Sequence, residues 1–365
     1  MTETINTHVF NELVARMRSG EWTPRNNVLT AVLEAPRHGD IVPLPKLGTI
    51  QHREAEAIGA GAIARGEIGV VILAGGMATR FGYAQPKALY PIHHEKSFLN
   101  LKLDAIRTVG ANIPVFIMTS FATDAAIKEH LITNRHFGLP EPLVTCFEQD
   151  RLPRVDANGQ TFYRQGQVDY CASGHGDFPF VFQRTGLLDR FLTQGGRYLL
   201  FSNVDNLGAT INPLIIGHHI QNGPEMTVEV AAKNPGDQGG APARVNGRLQ
   251  LVEGFAFPPD FNQSTITVFN TANYVFNAAA LRHARSLPWY IVEKTVDGQR
   301  VTQFERLAGD LSAFMNSQFI EVERSSRFWP VKSPADVPLV QAILSEKWQE
   351  TLANLDVRTP PPINP

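Results

Sequence analysis

Val70 to Ile92, VVILAGGMATRFGYAQPKALYPI, is the stretch that decides how the chain is read. Val70, Val71, Ile72 and Leu73 form an apolar, mostly β-branched run, the pattern of a strand buried on both faces of a parallel sheet. Gly75 and Gly76 then permit a turn and a close backbone approach that side chains would forbid, so the loop amides can converge on an anion. Two cations follow, Arg80 and Lys87, the second directly after Pro86. Strand, glycine turn and cations together describe a phosphate site. A Walker loop would place glycine before the lysine and a hydroxyl after it, whereas Lys87 lies between Pro86 and Ala88. A dinucleotide fingerprint would repeat glycine at its third and sixth positions, where Met77 and Arg80 stand. Taken alone, the stretch also admits a plainer reading, an ordinary turn with solvated cations.

The totals bound the rest. A chain of 365 residues with 43% hydrophobic and 19% charged residues has ample material for a core, and one large α/β domain with terminal additions is expected. A formal net charge of −2 offers no field for nucleic acid or an anionic membrane, so neither is an expected partner and any anion must be held by local geometry. Cys146 and Cys171 lack metal-ligand spacing and read as reduced structural thiols. The first ten residues, MTETINTHVF, carry acidic and polar residues where a signal peptide would place a cationic start and an apolar core, so none is expected there, and no apolar run reaches the roughly 18 residues of a membrane helix. A cytoplasmic location is expected.

Working outward, the spacing predicts helices over Thr7–Ser19 and His52–Arg65, placing a helical segment over residues 1–66 that packs on the core. Residues 67–336 form the expected catalytic domain, and 337–365 a short helix, about Val337 to Leu352, with a mobile tail, TPPPINP. After the first strand, helices over Phe98–Val109 and Asp124–Leu131 alternate with strands Val115–Thr119, Val144–Glu148 and Tyr198–Phe201, the signature of right-handed βαβ crossovers and a mainly parallel sheet. Ligands of such sheets lie at the carboxyl ends of the strands, which places Gly75, Lys87 and Gln149 on one edge. Farther on, Met226–Ala232, Arg248–Val252, Thr265–Phe269 and Asn273–Phe276 read as a smaller antiparallel part.

Three loops carry further chemistry. In Ser173-Gly174-His175-Gly176-Asp177, before a helix expected over Phe180–Leu192, Asp177 reads as a helix cap. His175 lies between glycines that give it no packing walls and reads as a ligand contact. Asp205, at the exit of the Tyr198 strand, is placed to hold Mg²⁺, which prefers one or two carboxylates with substrate phosphates and water, although an Asx turn there is the simpler alternative. Glu253, Asn270 and Asn273 are of the type that reads vicinal hydroxyls.

Five motifs in order resemble the UTP:glucose-1-phosphate uridylyltransferase family: LAGGMATRFGYAQPK, SGHGD, FSNVDNLGATI, FNTANYVFN and SRFWPVK, covering about Gly69 to Asp336. The resemblance implies a Rossmann-like α/β nucleotidyltransferase core, with a mainly parallel mixed sheet and a smaller antiparallel sugar-binding part. It implies Mg²⁺-dependent transfer of a uridylyl group from UTP to a hexose 1-phosphate. Nucleotide contacts would be Leu73, Ala74, Gly75, Gly76, Gln149, Gly174 and His175, and sugar contacts Asn206, Gly240, Glu253, Asn270 and Asn273. Lys87, Lys332 and Arg80 would be catalytic, and Asp205 would hold the metal. Departures are Ala78, where the loop usually has a third glycine, and Ala172-Ser173, where two prolines usually precede the histidine motif. The chain is also too short for the C-terminal β-helix domain of eukaryotic members.

Rival readings are the same chemistry on N-acetylglucosamine or galactose 1-phosphate, a non-catalytic nucleotide-binding regulator, and a glycosyltransferase. His175 and Asp177 favour the glucose type. Lys87, Asp205 and Lys332 together speak against a pure binder, and Asn203-Val204-Asp205 lacks the Asp-x-Asp of a glycosyltransferase.

Overall fold

A computed structural model describes residues 7–110, 112–234, 237, 239–356. The proline-rich tail, Gly236 and Gln238 lie outside the described residues. The Val70 run belongs to strand Ile68–Leu73, which sits inside an eight-stranded sheet. By residue number the strand order is 41–43, 317–322, 226–232, 268–277, 198–203, 68–73, 115–119, 144–148. Every neighbouring pair is parallel except those made by Val268–Asn277, which runs antiparallel to both its neighbours. Alternate residues feed opposite layers: Val71, Leu199 and Phe201 pack with the phenylalanines of the 178–191 region, while Val70 and Ile72 pack against Phe98, Leu99 and Leu103. This two-sided burial is why the run lacks polar alternation.

Several elements differ from expectation. The helix expected over Phe180–Leu192 is two, Phe178–Arg184 and Leu187–Thr193, interrupted at Gly186 with φ 72°. The two strands expected over 265–276 are one, Val268–Asn277. It carries a bulge in its pairing with Met226–Ala232, and Ala272 takes φ 58°, an unfavourable angle for a residue with a Cβ. Helix Pro213–Asn222, edge strand Ile41–Pro43, strand Ser317–Val322 and the hairpin Tyr290–Val296/Gln299–Glu305 were not anticipated. A small antiparallel sheet, Leu33–Glu34 with Ala241–Val245 and Arg248–Val252, stands apart from the main one.

Candidate active site

The carboxyl ends of four parallel strands open onto a cavity of about 530 Å³. Leu73, Gly75 and Gly76 line it after the first strand, Ser120 and Phe121 after the second, Gln149 after the third, and Asn203 and Asp205 after the fourth. The glycine loop is folded back on itself: the Lys87 N–H donates to the Gly76 carbonyl (2.9 Å), and Ser120 Oγ donates to the Gly75 carbonyl (2.8 Å). A Cβ on Gly75 would come within 2.1 Å of Gln149 Nε2, whereas one on Gly76 would meet nothing within 4 Å. Gly75 thus makes room for the Gln149 amide, and Gly76 keeps open space above the loop. Ala78 is 1% exposed and does not line the cavity, so its methyl group is packed into the protein.

Pro86 starts a short helical turn, Lys87–Leu89, which points the lysine inward. Its Nζ forms an ion pair with Asp205 Oδ2, both side chains being less than one-fifth exposed. Asp205 is therefore not spent in an Asx turn. Its loop is fixed from behind by Asn206, which is 2% exposed. The Asn206 amide donates to Asn273 Oδ1 (3.1 Å) and the Arg327 carbonyl (3.2 Å), and its oxygen accepts from Trp329 N–H (2.9 Å) and Gly208 N–H (3.2 Å). Asn206 and Asn273 thus join the Asp205 loop to the 327–332 segment. Beneath them Arg327 makes a two-point ion pair with Glu229 (2.7 and 2.9 Å), and buried Lys102 donates to Ser202 Oγ (3.1 Å) and the Ala209 carbonyl (2.9 Å). Burial lowers the Lys102 pKa to about 7.

The histidine loop forms the opposite wall, and here the structure corrects two expectations. Asp177 does not cap the following helix: its carboxylate pairs with Arg306, accepts from Ser173 Oγ, and accepts the Asp150 N–H (3.1 Å). His175 does have packing walls, supplied by a strap some 130 positions later, since the Ala308 N–H donates to its Nδ1 (2.9 Å). The flanking glycines exist for that strap. Gly174 has φ 95°, and a Cβ there would lie 2.3 Å from the Arg306 carbonyl oxygen. Because Nδ1 accepts, the neutral ring carries its proton on Nε2, and burial lowers its pKa to about 4. Gly174 and His175 still line the cavity, and His175 is therefore a neutral donor in it at pH 7.

Other expected residues lie elsewhere. Arg80 and Lys332 line an adjoining cavity of about 1170 Å³, together with Arg324 and Asp237, which pair with each other (2.6 Å). Gly240, Glu253 and Asn270 form a separate cluster: Asn270 N–H donates to the Gly240 carbonyl (2.8 Å), and a Cβ on Gly240 would lie 3.3 Å from Glu253 Oε2. Asn270 donates to Tyr274 Oη (2.9 Å), and burial raises the Glu253 carboxyl above its usual range. Ala74 is 1% exposed and continues the strand ladder by donating to the Met118 carbonyl (2.8 Å).

Sequence reading missed part of the cavity wall. Ser120 and Phe121 had a usable signal, following a buried strand on the same edge. Arg154 belongs to the segment that leaves the third strand after Gln149, and Tyr170 shortly precedes the histidine loop. Gln303 and Glu305 had no local signal, because the late hairpin reaches the cavity through tertiary packing, with Arg154 Nε donating to Gln303 Oε1 (3.0 Å).

No group of three or more His, Cys, Asp or Glu suited to a metal is present among the described residues. Asp205 alone, facing a phosphate-sized space, fits a hard cation that brings its remaining oxygen ligands with a nucleotide.

A mostly parallel sheet that offers an anion loop, a lysine and a lone carboxylate at its carboxyl edge defines the nucleotidyltransferase class. Comparison with known proteins narrows this. The family model described as UTP–glucose-1-phosphate uridylyltransferase matches residues 7–363, and the chain belongs to that family. It is 30% identical over 360 residues to the enzyme of that name from Hordeum vulgare, covering 92% of this chain and 73% of that one. It is 30% identical over 378 residues to the one from Solanum tuberosum, covering 98% and 76%. Among solved structures it resembles the UDP-N-acetylglucosamine pyrophosphorylase of Trypanosoma brucei, with TM-score 0.77 and 21% identity over 90% of this chain and 74% of that one. It also resembles the UDP-glucose phosphorylase of the same organism, with TM-score 0.74 and 24% identity over 92% and 74%. At these identities the structures speak for the fold.

Proposed function

We propose that the protein transfers the uridylyl group of UTP to glucose 1-phosphate, giving UDP-glucose and pyrophosphate. The observation that carries the reading is the Lys87–Asp205 pair facing the cavity that Gly75, Gly76, Gln149 and His175 line. Family membership supplies the substrates. Both cysteines are free, which suits a cytoplasmic enzyme.

In this reading the amides of Gly75 and Gly76 take the triphosphate, with Leu73 and Ala74 setting the loop's start at the strand end, while Gln149 and the Gly174 backbone read the uracil edge. Neutral His175 donates from Nε2 to a nonbridging oxygen near the α-phosphate. The sugar phosphate is already anionic at pH 7, so no general base is needed. The barrier is repulsion between two polyanions, and Lys87 and Lys332 lower it by positioning and neutralising the phosphates. Arg80, which lines the same adjoining cavity as Lys332, adds further positive charge toward the phosphates. Mg²⁺ on Asp205 would supply further charge neutralisation when it is bound with the nucleotide. Glu253, Asn270 and Gly240 accept from or donate to hexose hydroxyls, and Asn206 and Asn273 hold the frame between the nucleotide and sugar sides.

The test is pyrophosphate release with Mg²⁺, UTP and a panel of hexose 1-phosphates, with other nucleoside triphosphates as controls. Release with UTP and glucose 1-phosphate is expected. Release only with N-acetylglucosamine or galactose 1-phosphate would move the substrate within the family's chemistry, and UTP binding without release from any pair would leave a nucleotide-binding regulator.

A further inference from the structure

A second cavity, about 560 Å³, lies between the N-terminal segment and the start of the late hairpin. Arg16, Trp22, Arg25, Val28, Leu287 and Trp289 form most of its wall, and no acidic residue lines it. The Arg16 guanidinium lies over the Trp22 ring at 5.1 Å from its centroid. Neither Arg16 nor Arg25 has a carboxylate partner among the described residues. Trp22, 4% exposed and covered by Arg16 and Phe304, forms the cavity floor, and the partly exposed Trp289 offers the indole face. One such face and two guanidiniums with no carboxylate partner among the described residues suit a ring with a phosphate attached: the ring lies against Trp289, and the phosphate accepts two parallel N–H bonds from an arginine. The volume falls within the usual range for small-ligand sites.

The walls of this cavity touch those of the nucleotide cavity. Trp22 stacks on Phe304, with centroids 5.3 Å apart and planes 11° from parallel, and Phe304 stands between Gln303 and Glu305, both of which line the nucleotide cavity. Trp289 receives the Arg306 guanidinium at 4.4 Å, and Arg306 is the residue that pairs with Asp177 and clamps the histidine loop. Asn27 ties the two walls together, donating to the Ile291 carbonyl (2.8 Å) and accepting its N–H (3.1 Å).

We propose that this cavity is a regulatory site for a ring-bearing organic phosphate, a sugar phosphate or a nucleotide, coupled to the nucleotide site through Phe304 and Arg306. A ligand that shifts either indole shifts a residue directly bonded to, or adjacent to, the nucleotide wall. Coupling of this kind is reciprocal, so the ligand changes UTP affinity by the same factor by which UTP changes the ligand's.

Glucose 6-phosphate and AMP are the two probes, titrated calorimetrically into wild-type protein, into Arg16→Glu/Arg25→Glu and into Lys87→Ala. At least one probe should bind wild type and Lys87→Ala alike and bind the double variant about tenfold more weakly or less, as loss and reversal of both phosphate-binding charges require. The double variant should melt as wild type and still bind UTP, which separates failure of this site from failure of the proposed function. Binding by glucose 6-phosphate alone or AMP alone assigns the ligand to sugars or nucleotides. No binding of either probe, or binding lost in Lys87→Ala but kept in the double variant, overturns the site. Binding that leaves UTP affinity unchanged overturns the coupling.

Discussion

Lys87 Nζ and Asp205 Oδ2 neutralise each other across the floor of the nucleotide cavity, although 118 positions separate them in the chain. The ammonium at Oδ2 opposes binding of a second cation at the same carboxylate. A nucleotide carrying its own metal resolves the conflict, since the phosphates draw the lysine and the metal takes the aspartate.

The free protein should therefore bind Mn²⁺, used as a paramagnetic stand-in, only weakly. Removing the competing ammonium in Lys87→Ala should strengthen Mn²⁺ binding by about tenfold or more, a modest share of the attraction between unit charges near a protein surface. Electron paramagnetic resonance titration reads this directly. Equal affinity in the two proteins would show that the pair does not guard the carboxylate.

His175, with a pKa lowered to about 4 by burial, should contribute no step to the activity profile between pH 5.5 and 8. Its folded pKa lies below the unfolded value of 6.5, so the unfolded chain takes up the proton first as pH falls. The contribution to stability is complete above about pH 6.5 and declines toward pH 4, by roughly 3 kcal/mol in all. Melting temperatures of wild type and His175→Gln, compared at pH 7 and pH 5, isolate this group from the other histidines. The wild type should lose more on acidification, and an equal loss would refute the assignment.

The two loop glycines should fail differently. Gly75→Ala drives a methyl group into Gln149 Nε2 and should reduce the preference for UTP over other nucleoside triphosphates by displacing that amide. Gly76→Ala meets no protein atom within 4 Å, so it should melt like the wild type. Any loss of nucleotide affinity there reports contact with the phosphates. Calorimetric titrations of the pair with UTP and CTP distinguish the two effects.

The buried Arg327–Glu229 pair holds the segment that leads to Lys332. Glu229→Ala leaves a guanidinium that is 6% exposed without its partner and should cost about 3–5 kcal/mol in urea unfolding, whereas Glu229→Leu/Arg327→Met should recover much of that loss. If both variants were equally unstable, the charge would not be the cause.

The main sheet was legible where strands are buried on both faces, as at Ile68–Leu73 and Val115–Thr119, since an unbroken apolar run has few other uses. Helix Pro213–Asn222 was also within reach, with Asn212 as its cap, Pro213 at its first turn and Gly223 after its end. Strand Ile41–Pro43 was not, because three residues at a sheet edge between prolines carry no periodicity. At the site, the glycine loop, Gln149 and Asp205 followed from their place after strands. The walls of the histidine loop were not legible because its partners, Arg306 and Ala308, are distant in sequence: the glycines that seemed to leave His175 without packing make room for a strap, while His175 still lines the cavity. Gln303 and Glu305 reach the cavity only by hairpin packing, which local pattern does not encode.

The most direct test is to incubate the protein with Mg²⁺, UTP and glucose 1-phosphate and to quantify UDP-glucose and pyrophosphate together by mass spectrometry, for wild type and Lys87→Ala. Equimolar products from the wild type are expected, with turnover lower by about 10²–10³ in a variant that melts normally, the loss typical of removing one stabilising group from a charged transition state. No UDP-glucose from the wild type, or undiminished turnover in Lys87→Ala, would contradict the account.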